Sequence, residues 1–503
     1  MAKYRSTDVG SGQGLFLSVN LQEQLLPGTF EHMLNEIIGT KINLNAFDGK
    51  YKNDLTGASA VPPSALLKLI FYGYFKGSNS SRKLYELNNN NIIAKALTGD
   101  MHIHWTVIAD FISGNKETIK ETFSQVLLYC NELGLIGGEN FAVDGLRLPS
   151  NASLEMSGTE KQLGKRLEVY RRMASKHIER HARRDAQGIN DEGSEKRFEN
   201  RQKQLALRIE KIHQFLETME KKEGRNGAEI QSNVTDNESA MIHSSKGYIQ
   251  GYVGIAIADQ KSQIITSAQA FGSANETEHL PEMLDRNAEN LEEAGVKRDA
   301  GKKPTMSGDA NYFSDENLRS CEEHGIDAVL ADSQGKRRIG SDGESRYELD
   351  DFNYHEAEDY YECPAGKRLT YRRDTKQMGV QGKVYQASLT DCKRCPEFSK
   401  CSWSRKEQSE QVQGKALRIT EKNKQGNVCR QMRKKFETVE YQDIYAYRIQ
   451  IVEPVFANIR YCKRLNRFTL RGKDKVNSQW LLYCMVHNLS KCLKAHKMRE
   501  GYE

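Results

Sequence analysis

No apolar run in the 503 residues approaches the roughly 20 that cross a bilayer. The most apolar helix candidate, Leu66 to Phe75, is too short and carries Lys68. No signal-peptide core follows Met1-Ala2-Lys3-Tyr4-Arg5. The expectation is a soluble, cytoplasmic protein with no membrane partner. A surplus of charge of one sign is also missing. Lys and Arg number 74 against 68 Asp and Glu, a net charge of +6, so the distribution of charge matters more than its sum. At 38% hydrophobic and 28% charged, the chain can bury a core and is not disordered overall. Its length suggests two to four domains. Ten cysteines in a reducing compartment favour metal over disulfide.

Weak helical signals lie at Leu21 to Leu26 and His32 to Ile38. Pro62-Pro63-Ser64 then opens a strong helix that Gly77 stops, and Ser80 caps the next. Short helices follow at Ile92 to Leu97, His104 to Ile112 and 115–133. Their tight spacing suggests a helix-turn-helix bundle or another small helical domain. The run Phe141-Ala142-Val143-Asp144-Gly145 reads as a strand ending on a carboxylate, although Asp-Gly by itself signals a hairpin turn. Residues 155–227 hold 18 Lys and Arg against 13 Asp and Glu, with apolar residues at helical spacing. They read as an inserted antiparallel helix pair with a solvated charged face, or a DNA or dimer contact. Strands are expected at Tyr248 to Ala258, Gln263 to Ala270, Pro304 to Asp309 and Ile326 to Leu330, with helices at Thr277 to Asn290 and Asp315 to His324. This is a mixed α/β layer with Asp144 and Asp309 at strand ends. Residues 335–437 break the pattern. A long helix, Val439 to Leu465, then carries Glu453, and a final helix runs from Lys473 to Lys497. From Pro454 onward 11 Lys and Arg face three acids, a strongly basic end.

Two constellations carry chemistry. Two-metal phosphoryl transfer needs carboxylates converging on divalent ions about 3.5–4 Å apart, and Asp144, Asp309 and Glu453 can supply them. Cys363, Cys392, Cys395 and Cys401 match a tetrahedral zinc set, with unliganded thiols as the alternative. The other six cysteines lack such spacing. Glu278 and His279 are candidate groups behind the metals, or simply a helix start. Trp105 and Trp403 can stack on bases or anchor small cores.

The motifs around the three acids resemble those of DDE transposases. They are Phe141-Ala142-Val143-Asp144-Gly145, Ser307-Gly308-Asp309-Ala310-Asn311-Tyr312-Phe313-Ser314 and Val452-Glu453-Pro454-Val455-Phe456-Ala457-Asn458-Ile459-Arg460. More narrowly the chain resembles the insertion-sequence 1182 family of the insertion-sequence-four-like group. Pro62 to Phe111, the cysteine segment and the helix from Gln479 to Leu489 extend the likeness over most of the chain. The resemblance implies an α/β fold: a ribonuclease-H-like catalytic domain with helical-hairpin and cysteine-rich insertions, plus an N-terminal all-helical domain. The implied organisation is a helix-turn-helix-like DNA-binding domain (1–135), a first catalytic part (136–334), a zinc-binding insertion (335–437) and a last catalytic part with basic helices (438–503).

The implied function is binding of terminal inverted repeats with metal-dependent strand cleavage and strand transfer. Asp144, Asp309 and Glu453 would hold two Mg²⁺ or Mn²⁺ ions, and the four cysteines a structural Zn²⁺. The group's Tyr-x2-Arg-x3-Glu-x6-Lys signature is only partly kept. Tyr445 and Arg448 hold the first spacing, four residues separate Arg448 from Glu453, and Arg460 replaces the lysine. Arg82, Lys83, Lys463, Arg464, Arg467 and Arg471 are candidate DNA contacts. The implied partners are double-stranded DNA and a second copy in a synaptic complex, in a bacterial nucleoid. Alternatives are a catalytically inactive or domesticated DNA-binding derivative, and a nuclease without element-end specificity.

Overall fold

The computed structural model describes residues 20–50, 59–189, 192–224, 227–244, 247–297, 301–332, 346–377, 380–401, 412–420 and 428–501. Trp403 lies outside them.

The N-terminal part is helical: α1 (Phe30–Thr40), α2 (Pro63–Phe75), α3 (Ser81–Asn90), α4 (Ile92–Thr98), α5 (Trp105–Gly114) and α6 (Lys116–Glu132). The caps follow from sequence. Thr29, Ser80 and Asn91 accept the first free N–H groups of α1, α3 and α4, and Gly99 ends α4 in the left-handed region. Helix α2 buries nine of its 13 residues, so it is a core helix and presents little surface to a partner.

Strand β1 (Asn140–Pro149) follows. It does not end at Asp144, and Asp144-Gly145 is not a turn. After the short β2 (Ser157–Gly158) come α7 (Glu160–Ala186) and α8 (Glu192–Thr218), antiparallel and packed on each other. A capping box between Thr159 and Gln162 starts α7. The chain returns through β3 (Ser232–Asn233), β4 (Ala240–Ser244), β5 (Gly247–Asp259) and β6 (Ile265–Phe271). Then come α9 (Leu280–Glu293), β7 (Thr305–Gly308), α10 (Asp315–Glu323) and β8 (Asp327–Leu330). Strands β4, β5, β1, β7 and β8 lie side by side in that order, and β6 pairs with the far half of β5. The β1–β5 and β5–β6 pairs are antiparallel; β1–β7 and β7–β8 are parallel. The fold is therefore mixed α/β.

The segment that breaks the sequence pattern is built as a second sheet. Strands β9 (Asn353–His355), β10 (Tyr360–Glu362), β11 (Arg368–Gln377), β12 (Val380–Ala387) and β13 (Ala416–Ile419) pair antiparallel in sequential order. Its strands were hidden by charge: Arg372, Arg373 and Asp374 are all exposed on β11, so few apolar positions alternate. Short helices α11 (Leu389–Lys393) and α12 (Phe398–Cys401) carry Cys392 and Cys401, with Cys395 between them. Then follow α13 (Val428–Phe436), α14 (Val439–Ala457) and α15 (Lys473–Glu500).

Helix α15 organises the whole. It packs on α1, α2, α5 and α6 and also on β6, and one apolar core runs from the N-terminal helices into the large sheet. Trp480, fully buried, lies flat on Gly254, where a Cβ would come within 2.8 Å of the indole, and its Nε1 donates to the Ile255 carbonyl at 3.1 Å. Asn488 pairs both of its amide atoms with the backbone of Ile265, and Asn477 accepts from the Ala270 N–H. Eleven residues separate these asparagines, about three helical turns, so one face of α15 satisfies the outer edge of β6 as a further strand would. Cys130 and Cys492, buried between α6 and α15, have their sulfurs 3.4 Å apart as free thiols.

Helix α14 also departs from expectation. It ends at Ala457 and widens into a five-residue π turn, Asn458–Cys462, where continuation to Leu465 was expected. Pro454 stands inside the helix and cannot donate to the Gln450 carbonyl, which accepts from Gln263 Nε2 at 2.8 Å instead.

Candidate active site

The parallel pairing of β1 with β7 runs from Asn140 opposite Thr305 to Val143 opposite Gly308 and stops there. The next residues are Asp144 and Asp309. Two strands held by the apolar core thus deliver two carboxylates side by side from positions 165 residues apart. Asp144 stays in β1, paired with Ala256 of β5, and is largely buried. Its Oδ1 accepts from the Gly145 N–H at 2.8 Å, and its Oδ2 from Arg448 Nη1 at 3.2 Å. Burial pushes its carboxyl above the usual range; the Gly145 N–H and Arg448 pull it down, and Asp309 adds a further upward push. Asp309 leaves β7 to cap a short 3₁₀ turn, Ala310–Tyr312, accepting from the backbone N–H and side-chain amide of Asn311 at 3.0 and 2.9 Å.

A third carboxylate faces this pair. Glu276, from the loop between β6 and α9, is buried to 3% side-chain exposure and accepts from Arg147 Nε at 2.8 Å. The Tyr312 hydroxyl lies 3.5 Å from its other oxygen. Burial raises its carboxyl, Arg147 opposes this, and the charges of Asp144 and Asp309 raise it further. Gly145 has a use here that sequence did not suggest. A Cβ at Gly145 would stand 2.6 Å from Glu276 Oε2 and 2.9 Å from Val253 Cγ1, so the glycine makes room for Glu276.

Glu453 sits on α14 and is exposed. The extra residue between Arg448 and Glu453 explains this. Val452, four residues after Arg448, shares its side of the helix and is buried, and Glu453 is turned about 100° further. Asp144, Asp309 and Glu453 are not drawn within 4.8 Å of one another. Among the described residues the set that meets this criterion is His181, Asp185 and Glu195, at the tip of the α7–α8 hairpin. There His181 Nδ1 is 3.0 Å from Asp185 and its Nε2 3.9 Å from Glu195, and the ring also stacks on Phe198.

Arg448 places its guanidinium 5.7 Å from the Tyr445 ring centre, and its buried Nε has no hydrogen-bond acceptor among the described residues. Arg460 lies in the π turn over Tyr461, off the helical register that would keep it with Glu453. His279 stacks on Phe271 at 3.8 Å, and burial lowers its pKa, while Glu278 is exposed. Glu276, two residues earlier, is the acid that reaches the site. Its burial has no sequence signal, because Glu276, Glu278 and Glu282 all lie in one polar stretch; Gly145 is the one clue, legible only with the fold in hand.

The basic candidates divide. Arg82 and Lys83 are exposed on α3, with Arg82 5.0 Å from the Trp105 ring centre. Arg464 is exposed at a φ of 56°. Arg467 and Arg471 are exposed but donate to the carbonyls of Ser150 and Asn151. Lys463 is a correction: it is 2% exposed, with its ammonium by Ser490 Oγ and the Phe75 ring, and burial lowers its pKa to about 8. A side chain so placed cannot meet a DNA backbone.

Cys363, Cys392, Cys395 and Cys401 line one cavity of about 170 Å³ at the end of the second sheet. The backbone N–H groups of Lys367 and Lys415 each point at a sulfur, of Cys363 and Cys392, at 3.3 Å. Such donors suit thiolates, so the donor set fits a soft divalent ion, with the sulfurs spread more widely than a bound ion would hold them.

Residues 362–493 match the family described as "Transposase DDE domain", and residues 19–114 match "Transposase domain (DUF772)". The matches support a DDE transposase of an insertion sequence. The 19–114 match covers α1 to α5; the 362–493 match covers Cys363, Cys392, Cys395 and Cys401, Arg448, Glu453 and most of α15. Asp144, Glu276 and Asp309 lie between the two matched segments. No curated protein matches the chain. A solved structure, "Cryo-EM structure of piggyBac transposase synaptic complex with hairpin DNA", is similar at 9% identity and a TM-score of 0.33, over 94% of this chain and 76% of that one.

Proposed function

We propose that this transposase belongs to the insertion-sequence 1182 family, binds the terminal inverted repeats of its element and catalyses metal-dependent DNA strand cleavage and strand transfer. The observation that carries this reading is the delivery of Asp144 and Asp309 by adjacent parallel strands to one spot on the sheet. The strand order, with three antiparallel strands and two parallel ones on the far side of β1, supports a ribonuclease-H-like catalytic core. The α7–α8 hairpin and the cysteine-bearing sheet are then insertions into it.

In this reading Asp144 and Asp309 hold the divalent ions, Mg²⁺ or Mn²⁺, and Glu453, which stands apart from them on α14, is the third acid and has to be brought to them by a rearrangement on DNA. Bound ions would supply Lewis-acid stabilisation of the attacking and leaving oxygens of an in-line displacement at phosphorus. The chain's own residues do the rest. Arg448 orients Asp144 through Oδ2 and opposes the effect of burial on that carboxylate. The unmet Nε of Arg448 is a donor suited to a phosphate oxygen. Cys363, Cys392, Cys395 and Cys401 would hold a structural Zn²⁺. Exposed Arg82, Lys83 and Arg464 are candidate backbone contacts, and a dimer would bring two element ends together.

The test is Mn²⁺- and Mg²⁺-dependent nicking of a duplex bearing the element end, with Asp309→Asn alongside wild type. Loss of nicking by about 10²-fold or more, the scale of losing a transition-state charge stabiliser, is expected. Nicking unchanged in Asp309→Asn removes this aspartate from the site.

A further inference from the structure

We infer that Glu276 is a positioning residue of the carboxylate pair: a buried third negative charge, fixed by Arg147 and Tyr312 beneath Gly145, that strengthens cation binding by Asp144 and Asp309 without ligating the ion. The inference rests on the proposed reading of Asp144 and Asp309 as metal ligands.

Three observations carry it. First, the Glu276 side chain is 3% exposed against 25% for Asp144, and a charge so placed acts on its neighbours with little screening. Second, both oxygens are already engaged. Oε1 accepts from Arg147 Nε, and Oε2 faces the Tyr312 hydroxyl, so the group is held in place and is not offered to an ion. Arg147 is itself fixed, since its Nη1 donates to the His243 carbonyl at 3.2 Å. Third, β1 is shaped to receive it. Gly145, next to Asp144, leaves the space that Glu276 Oε2 fills, so the position of Glu276 and the backbone that carries Asp144 are set together.

Tyr312 ties the arrangement to the other aspartate. It is fully buried two residues beyond Ala310, in the 3₁₀ turn that Asp309 caps. Glu276 thus touches the strand bearing one ligand and the turn bearing the other. Groups behind metal ligands commonly act in this way, orienting them and adding field.

The experiment is Mn²⁺ binding to the full chain, followed by the electron paramagnetic resonance signal of free Mn²⁺, for wild type, Asp309→Asn, Glu276→Gln and Glu276→Asp. Glu276→Gln keeps the shape and removes the charge. It is expected to weaken Mn²⁺ binding about 10- to 100-fold, with Tm near wild type. Glu276→Asp keeps the charge and is expected to bind Mn²⁺ better than Glu276→Gln while melting lower. A purely structural role gives the reverse order in binding, with the isosteric glutamine close to wild type, and overturns the inference. Should Glu276→Gln not fold, Arg147→Lys at the partly exposed partner keeps the charges and breaks the fixed geometry; unchanged Mn²⁺ binding there overturns the positioning role. Equal binding by wild type and Asp309→Asn rejects instead the reading of the aspartates as ligands, a result separable from loss in Asp309→Asn with no change in Glu276→Gln.

Discussion

The two sheets of this protein assemble chemical groups by opposite means. The large sheet stands on a core that runs through α15 into the N-terminal helices, and its acids come from far apart: Asp144, Glu276, Asp309 and the Arg448 partner. Packing alone brings them together, so that site needs no ligand to exist. The small sheet is built on an apolar cluster of seven buried residues among the described ones, with Cys363, Cys392 and Cys401 packed against it. Three of its four cysteines lie within ten residues, on and between two short helices that bury no residue of their own. Where a core is small, a bound ion takes over the work of apolar burial. The acid site is thus a product of the fold, whereas the cysteine site, on the proposed reading as a zinc site, is in part a condition for it.

The largest expected effect separates the two directly. Stripping metal with a chelator should abolish amide-exchange protection in 353–387 and leave 251–259 protected, since structural zinc contributes roughly 10–16 kcal/mol in small metal-dependent folds. Equal loss in both sheets would merge them into one cooperative unit, and no loss in either would remove the ion from the small one. Next in size, Trp480→Ala should destabilise the large sheet by about 3–5 kcal/mol in urea unfolding and leave the metal content of the cysteine cluster intact. A Trp480→Ala protein that also releases its metal would show that α15 supports both sheets. Gly145→Ala puts a Cβ into the space of Glu276 and Val253 and should cost about 1–3 kcal/mol, read as a lower Tm.

Per pH unit, a smaller change is expected at His487. His487 is buried in the large core between Asn458 Oδ1 and the Gln263 carbonyl, and burial, with Lys463 and Lys491 nearby, lowers its pKa to about 3. The unfolded chain binds this proton near pH 6.5 and the folded chain does not, so the neutral imidazole favours the fold above pH 6.5. That advantage fades as pH falls, by about 1.4 kcal/mol per unit. Wild type should therefore lose stability faster than His487→Gln between pH 6.5 and 4; parallel curves would show that His487 takes up its proton in the fold as well.

Sequence determined a good deal by local rules. Prolines, cap residues and apolar spacing placed the helices from Pro63 to Glu132 to within a few residues, because those signals act over one helical turn, and apolar spacing marked the α7–α8 pair inside the longer segment 155–227. It also singled out Asp144 and Asp309 by their position on short apolar strands, and the four cysteines by spacing. Three things it could not determine. The strands of the small sheet were masked by charges on an exposed face. The helix after Pro454 changes its period, which depends on a carbonyl being taken by Gln263 from another element. And in the polar stretch before α9 sequence pointed to Glu278 and His279, whereas the buried acid beside Asp144 is Glu276. Burial is a property of the whole packing, and only the tertiary structure sets Glu276 against Gly145, 131 residues earlier in the chain.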